Sequence, residues 1–353
     1  MDSSSSLYCS DLLLEIFSRC SLKSVDKSKI ISKVCNDILY EPIFIEYHRK
    51  KTGTIYGYIF QSSFKSSYRS SFVSPDDVRS TFVLDFLPRN SKILASSNQG
   101  ILCCITMERK ERFYVCKPTT RQIQMLPNPK LRYETYNVAM VVLQSSPLRY
   151  KIVRLSRVQT RSEHCTYLCE IFDSKICVWE EYKILLPIQV LICEETIFVS
   201  GRSHWLLSDN RILCFDLESM TYTIFTSPAG VRDKDDKFQS LIKLVQYRGK
   251  LGLIFNKFGS DFEIWELEDY KCQVWKKIKK FSAEGAKKEE PYCFPHAIGL
   301  YSGNIALMEG GKYFFYNFED SNVWAAKLDH HVTYPTNVFP FRSDLEPVDL
   351  RGR

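Results

Sequence analysis

The first fifty residues carry apolar positions at helical spacing. Leu12, Leu13, Ile16, Phe17 and Cys20 fall at i, i+1, i+4, i+5 and i+8, a broad stripe of the helical period. Ser10 and Asp11 stand just before it and predict a cap and a favourable negative charge at the helix start. A second stripe runs through Ile30, Ile31, Val34, Cys35, Ile38 and Leu39. Pro42 disfavours helical backbone at Glu41 and ends it. Ile43, Phe44 and Tyr47 predict one more short turn, closed by Gly53. Helical units of ~40 residues rarely hold together without a metal, a disulfide or a partner. Each stripe is also wider than one helix–helix contact requires. Two readings follow from the pattern: part of this surface awaits a second polypeptide, or the helices dock on the rest of the chain.

From residue 54 onward the period shortens. Runs rich in β-branched and aromatic residues, at 101–105, 136–143, 150–155, 197–200 and 251–255, are separated by turn residues and predict short strands. The Ser-rich stretch Gln61 to Ser74 reads as a loop or an edge segment. Five polar turns between an apolar run and a return strand form a loose repeat. Anchored at Pro118, Asp173, Asp216, Glu266 and Asn317, the repeat has steps of 55, 43, 50 and 51 residues. Kelch-type propeller blades have a period of about 50 residues and four strands each. The expected fold class is therefore α+β multidomain: a small N-terminal three-helix unit, then an all-β, propeller-like (kelch-type) domain. The expected bounds are 7–53 for the helices, 54–94 for a connecting segment or partial blade, and 95–345 for the propeller.

Asp11-Leu12-Leu13-Leu14-Glu15-Ile16-Phe17-Ser18-Arg19 resembles the opening helix of the F-box, a helical motif of plant and other eukaryotic proteins. Lys23-Ser24-Val25 sits where that motif carries Lys-Ser-Leu. Ser32-Lys33-Val34-Cys35-Asn36 and Tyr40-Glu41-Pro42-Ile43-Phe44 are similar to its last part. Tyr8 and Cys9 replace the family's opening Leu-Pro, Ser21 its second proline, and Cys35 its tryptophan. The later segment resembles the F-box-associated domain of plant F-box proteins at Ser97-Asn98-Gln99-Gly100-Ile101-Leu102-Cys103, Val115 through Pro127, Phe215-Asp216-Leu217 and Gly249-Lys250-Leu251-Gly252. The resemblance implies an F-box that docks on a Skp-type adaptor, and through it a cullin ligase and ubiquitin transfer, while the propeller binds an unknown target protein. The adaptor contact it implies comprises Leu12, Leu13, Ile16, Phe17, Ile31, Val34, Cys35, Ile38, Pro42 and Phe44.

Composition narrows the alternatives. Of 353 residues, 44% are hydrophobic and 25% charged, which describes a folded chain with a substantial core. The net charge of +7 is too dilute to define a nucleic-acid binder, so no nucleic-acid partner is expected. No apolar run reaches the ~20 residues of a membrane helix, and no membrane partner is expected. The polar opening Met1-Asp2-Ser3-Ser4-Ser5-Ser6 argues against a secretory signal. The expected location is intracellular, in the nucleus and/or cytoplasm. The 13 cysteines are irregularly spaced and read as reduced, buried thiols.

Catalytic and metal candidates are sparse. His164-Cys165 with Cys169 lacks the second close pair of a zinc site. His330-His331 would point to opposite faces of a strand. Gly201-Arg202-Ser203-His204-Trp205 lacks the spacing of a nucleophile elbow, and Gly310-Gly311-Lys312 reads as a hairpin turn. Glu194-Glu195 and Asp235-Asp236 read as solvated loops, as does the mixed-sign stretch Val231 to Lys237. Lys276-Lys277, Lys279-Lys280 and Lys287-Lys288 are expected in a long loop. Trp179, Trp205, Trp265, Trp275 and Trp324 are expected in blade packing. The sequence thus predicts a non-catalytic binding adaptor with no cofactor and no metal. The alternatives left open are a propeller enzyme or glycan-binding lectin, and a degenerate F-box protein acting outside a ubiquitin ligase.

Overall fold

The computed structural model describes residues 3–28, 30–39, 41–64, 67–75, 84–106, 111–131, 133–145, 147–158, 164–187, 190–193, 196–228, 242–287, 295–332, 334–344 and 348–351. Four helices come first: α1 (Ser3–Phe17), α2 (Leu22–Ser28), α3 (Lys33–Ile38) and α4 (Pro42–Thr52). No Gly or Pro interrupts residues 3–17, so α1 begins well before Ser10 and Asp11, which lie inside it instead of capping it. The second apolar stripe is not one helix. Ser32 accepts a hydrogen bond from the Cys35 N–H at 3.1 Å and starts α3 afresh, leaving Ile30 and Ile31 in a turn. The short α2 escaped the periodicity because only Leu22 and Val25 mark its inner face. Gly53 closes α4 at φ 69°, its N–H on the Arg49 carbonyl at 2.9 Å.

Five four-stranded antiparallel sheets follow, spanning 91–125, 135–187, 197–226, 242–282 and 296–325, each built in chain order. They are blades one to five of a six-bladed propeller. The sixth blade joins both ends of the chain: Ile55–Phe64 pairs with Ser67–Val73 on one side and with Asn337–Ser343 on the other. The Ser-rich stretch thus runs through this hairpin, with Ser67–Val73 as its outer edge. Lys117 and Asp344 form a buried ion pair, and Thr119 Oγ1 donates to the Asp344 carbonyl at 2.6 Å, which fastens the returning strand to blade one. Gly100 turns beside the same strand at φ 69°. An added Cβ there would collide with Ser343.

The repeat has a structural basis in the hairpin between the third and fourth strands of each blade. Asp173, Asp216, Asp269 and Asn317 accept backbone N–H groups two residues on, at 2.7–3.0 Å. Arg121, Cys177, Met220, Gln273 and Ser321 take the left-handed conformation at the far end of the turns, at φ 53–60°. In blade four the capping residue is Asp269, and the expected anchor Glu266 lies inside the third strand.

The lysine run is also a strand, not a loop. Lys276, Lys277, Lys279 and Lys280 belong to Val274–Ser282, the outer strand of blade four. Trp275, Ile278 and Phe281 pack inward between them. Lys277 and Lys280 pair with Glu263 at 2.8 and 3.5 Å, and Lys279 with Glu319 at 3.7 Å. Lysines on an outer edge discourage pairing with another chain. Lys288 lies outside the described residues, as does the Lys287 side chain.

Trp179 and Trp205 are buried between blades, while Trp265, Trp275 and Trp324 are half-buried. Trp205 donates to Asn137 at 2.9 Å and Trp179 to the Pro127 carbonyl at 2.8 Å, so both rings bury with their N–H satisfied. No helix among the described residues is long and apolar enough to cross a membrane.

Candidate functional site

The helical module has two faces. Its inner face is a core of Phe17, Leu22, Val25, Cys35, Ile38, Leu39, Phe44 and Ile45, joined by Tyr56 from the sixth blade. His48 stacks on Phe44 and hydrogen-bonds the Cys20 carbonyl at 2.7 Å and the Tyr56 hydroxyl at 2.9 Å. Asn36 donates to the Arg248 carbonyl at 3.1 Å, and Arg248 pairs with Glu41 at 3.3 Å. The helices therefore dock on the propeller, as one of the two readings of the stripe required.

The outer face remains apolar and uncovered. Leu12 is 61% exposed, Ile16 49%, Ile31 69% and Val34 52%. Leu12 and Ile16 lie one turn apart on α1, and Leu13 is half-buried beside the core. Phe17, Cys35, Ile38 and Phe44, expected at the adaptor contact, are instead buried inside the module. They face its own core because only that side of each short helix meets the others. The Pro42 side chain lies outside the described residues. Ile43 and Tyr47 are exposed on α4, while exposed Ile30 borders a cavity of the propeller. Periodicity alone could not assign them, since inner and outer positions alternate within the same stripes.

A cavity of about 890 Å³ runs along the propeller axis. The inner strands of all six blades line it, and Lys27, Ile30, Leu39 and Ile45 of the helical module border one end. That end lies where the inner strands finish. A smaller hollow of about 290 Å³ opens where the inner strands of blades four to six begin, beside Lys243, Thr336 and Asn337. His296 and Glu309, cross-strand neighbours in blade five, pair in its wall at 3.1 Å.

The chemical candidates do not assemble into a reaction centre. Ser203 and His204 are buried within blade three, where His204 hydrogen-bonds the Ile197 carbonyl at 3.2 Å and Tyr270 at 3.3 Å. Burial drives the His204 pKa down from 6.5 to about 4, so the ring is neutral. His330 and His331 are not on a strand; both lie exposed in a turn, their rings 3.5 Å apart. Gly310 and Gly311 form a hairpin turn in blade five. Glu194, Glu195, Asp235, Asp236 and the 231–237 stretch lie outside the described residues, as do the side chains of His164 and Cys165. Among the described residues, no three metal-ligating side chains cluster.

The model of the F-box associated beta propeller domain matches residues 48–308. The chain belongs to the F-box-associated β-propeller family. An F-box protein of Arabidopsis thaliana is 39% identical over 163 residues, covering 43% of this chain and 87% of that one. A second is 24% identical over 308 residues, covering 82% and 83% respectively. Among solved structures, a six-bladed fungal lectin of Aleuria aurantia is 10% identical, covers 79% of this chain and 92% of its own, and superposes with a TM-score of 0.42. The family match begins within α4, so the outer face of α1 and α3 lies beyond it. In this F-box-associated propeller, the cysteine that replaces the motif's tryptophan sits in the inner core at 5% exposure. The smaller side chain is therefore absorbed by internal packing, away from the outer face.

Proposed function

We propose that this chain is the substrate-recognition subunit of a Skp–cullin–F-box ubiquitin ligase. The helical module binds a Skp-type adaptor, and the propeller, with blades of the kelch type by their period, binds the target. The observation that carries this reading is where the uncovered apolar side chains lie. Of the 16 large exposed hydrophobic residues among those described, seven fall between Leu12 and Tyr47. A soluble chain rarely concentrates apolar surface without a partner to cover it. The subunit acts by proximity, raising the local concentration of target lysines near activated ubiquitin without chemistry of its own. It works in the nucleus and/or cytoplasm, where such ligases act. The test is affinity purification of the full chain from plant cells. Recovery of a Skp-type adaptor together with a cullin supports the assignment. Recovery of adaptor without cullin makes it an F-box protein working outside a ligase, and recovery of neither removes the assignment.

A further inference from the structure

Among the described residues, the charged side chains that line the axial cavity are all basic. Lys27, Lys92, Arg248 and Arg342 stand in its wall, and no Asp or Glu does among the described residues. Arg248 is partly offset by Glu41 behind it, and Arg342 Nε donates to the neutral Asn98 carbonyl at 3.0 Å. Lys27 and Lys92 have no acidic partner among the described residues. A low-dielectric cleft lined by one sign of charge focuses its field on ligands of the opposite sign.

The rest of the wall suits a polypeptide. Each inner strand is the edge of its sheet, so its outward backbone N–H and C=O groups face the axis in the alternation an extended chain presents. The neutral side chains of Asn137, Gln246 and Asn337 also line the wall, the Asn137 Oδ1 already accepting from Trp205 and Thr196. The lining follows blade two from Thr135 to Gln144, about 30 Å of extended chain. A small anion would occupy a fraction of that length.

We propose that the axial cavity receives an acidic, extended segment of the target protein, with Lys92 at the end away from the helices as a principal anchor. This deepens the target-binding role assigned above and rests on it. The probe is a fluorescein-labelled decapeptide of alternating Glu and Ser, titrated into the purified full chain. Its Lys/Ser counterpart and free citrate serve as comparisons. Saturable binding of the acidic peptide is expected, weakening as salt is raised and falling about tenfold or more in Lys92→Glu. The basic peptide should not bind. Lys92 is half-exposed and has no acidic partner among the described residues, so this variant should melt with the parent chain. Gln246→Glu, which sets a negative charge in the wall near its helical end, should weaken binding in the same direction.

Equal binding of both peptides, no saturable binding of the acidic one, or binding indifferent to both substitutions overturns the proposal. Complete displacement by citrate at matched carboxylate concentration overturns the peptide assignment in favour of a small-anion site. Adaptor capture by the same preparations separates the two ideas. A chain that captures adaptor but ignores the acidic peptide keeps the ligase role and loses the cavity proposal. The reverse result does the opposite.

Discussion

Glu170→Gln should be among the most destabilising single changes in the propeller. Arg154 and Glu170 face each other in blade two, their side chains 1% and 2% exposed, and form an ion pair. Arg154 also donates through Nε to Thr135 Oγ1 at 2.8 Å, and to the Leu131 and Tyr133 carbonyls. Glu170 accepts the Leu131 N–H at 3.1 Å. The pair thus holds the segment entering the inner strand of blade two, which lines the axial cavity. Removing one partner of a buried pair leaves an uncompensated charge at a cost of about 3–5 kcal/mol. That is a large share of the roughly 5–15 kcal/mol by which domains are stable. Urea denaturation followed by tryptophan fluorescence reads the loss. Arg154→Met with Glu170→Met should be less harmful than the sum of the single changes by about 2 kcal/mol or more, because no lone charge remains. A Glu170→Gln loss below about 1 kcal/mol, or simple additivity in the double variant, would refute this account of the pair.

Other outcomes follow from particular side chains. His204 has a folded pKa of about 4 against an ordinary 6.5, so its neutral form stabilises the fold above pH 6.5 and that contribution drains away as pH falls toward 4. Between pH 7 and 5 the loss is about 2 kcal/mol; urea midpoints of His204→Gln should lack this share, and an unchanged pH slope would count against it. Cys177 is exposed at φ 55°, so Cys177→Gly should raise stability by about 0.5–1 kcal/mol and Cys177→Val lower it, read as shifts in melting temperature. In the native chain Cys177 and Cys272 should react with a thiol reagent well before Cys103, Cys116 and Cys169: burial pushes up the pKa of Cys103 and Cys169, and a hydrogen bond with Cys104 together with burial pushes up that of Cys116. Labelling followed by peptide mass spectrometry ranks them.

The strand domain was legible where the chain repeats a physical device. The Asp or Asn that caps this hairpin in blades two to five leaves a mark in the sequence, which makes the turns at Asp173, Asp216 and Asn317 visible. Blade six was hard to see because its strands lie some 280 residues apart in the chain, as the pairing of Ile59 with Phe339 shows. The lysine strand is hidden in the sequence because a register shift at Ile278 sets its inward side chains, Trp275, Ile278 and Phe281, three residues apart instead of two. In the helical module, the stripes revealed that apolar surface exceeded internal need. They could not say which residues were spare: Ile38 and Val34 share one helix, yet one is buried and the other 52% exposed. The axial cavity had no local signature, since its wall draws on six strands distant in sequence.

The most direct test of the account is the affinity of the purified full chain for a purified Skp-type adaptor, measured by calorimetry with and without Leu12→Glu plus Ile16→Glu. Both side chains point away from the core, so the variant should fold and melt like the parent. If this face is the docking surface, each change removes about 2 kcal/mol or more of binding, and affinity should fall at least about a hundredfold. Unchanged affinity in a folded variant would contradict the central claim.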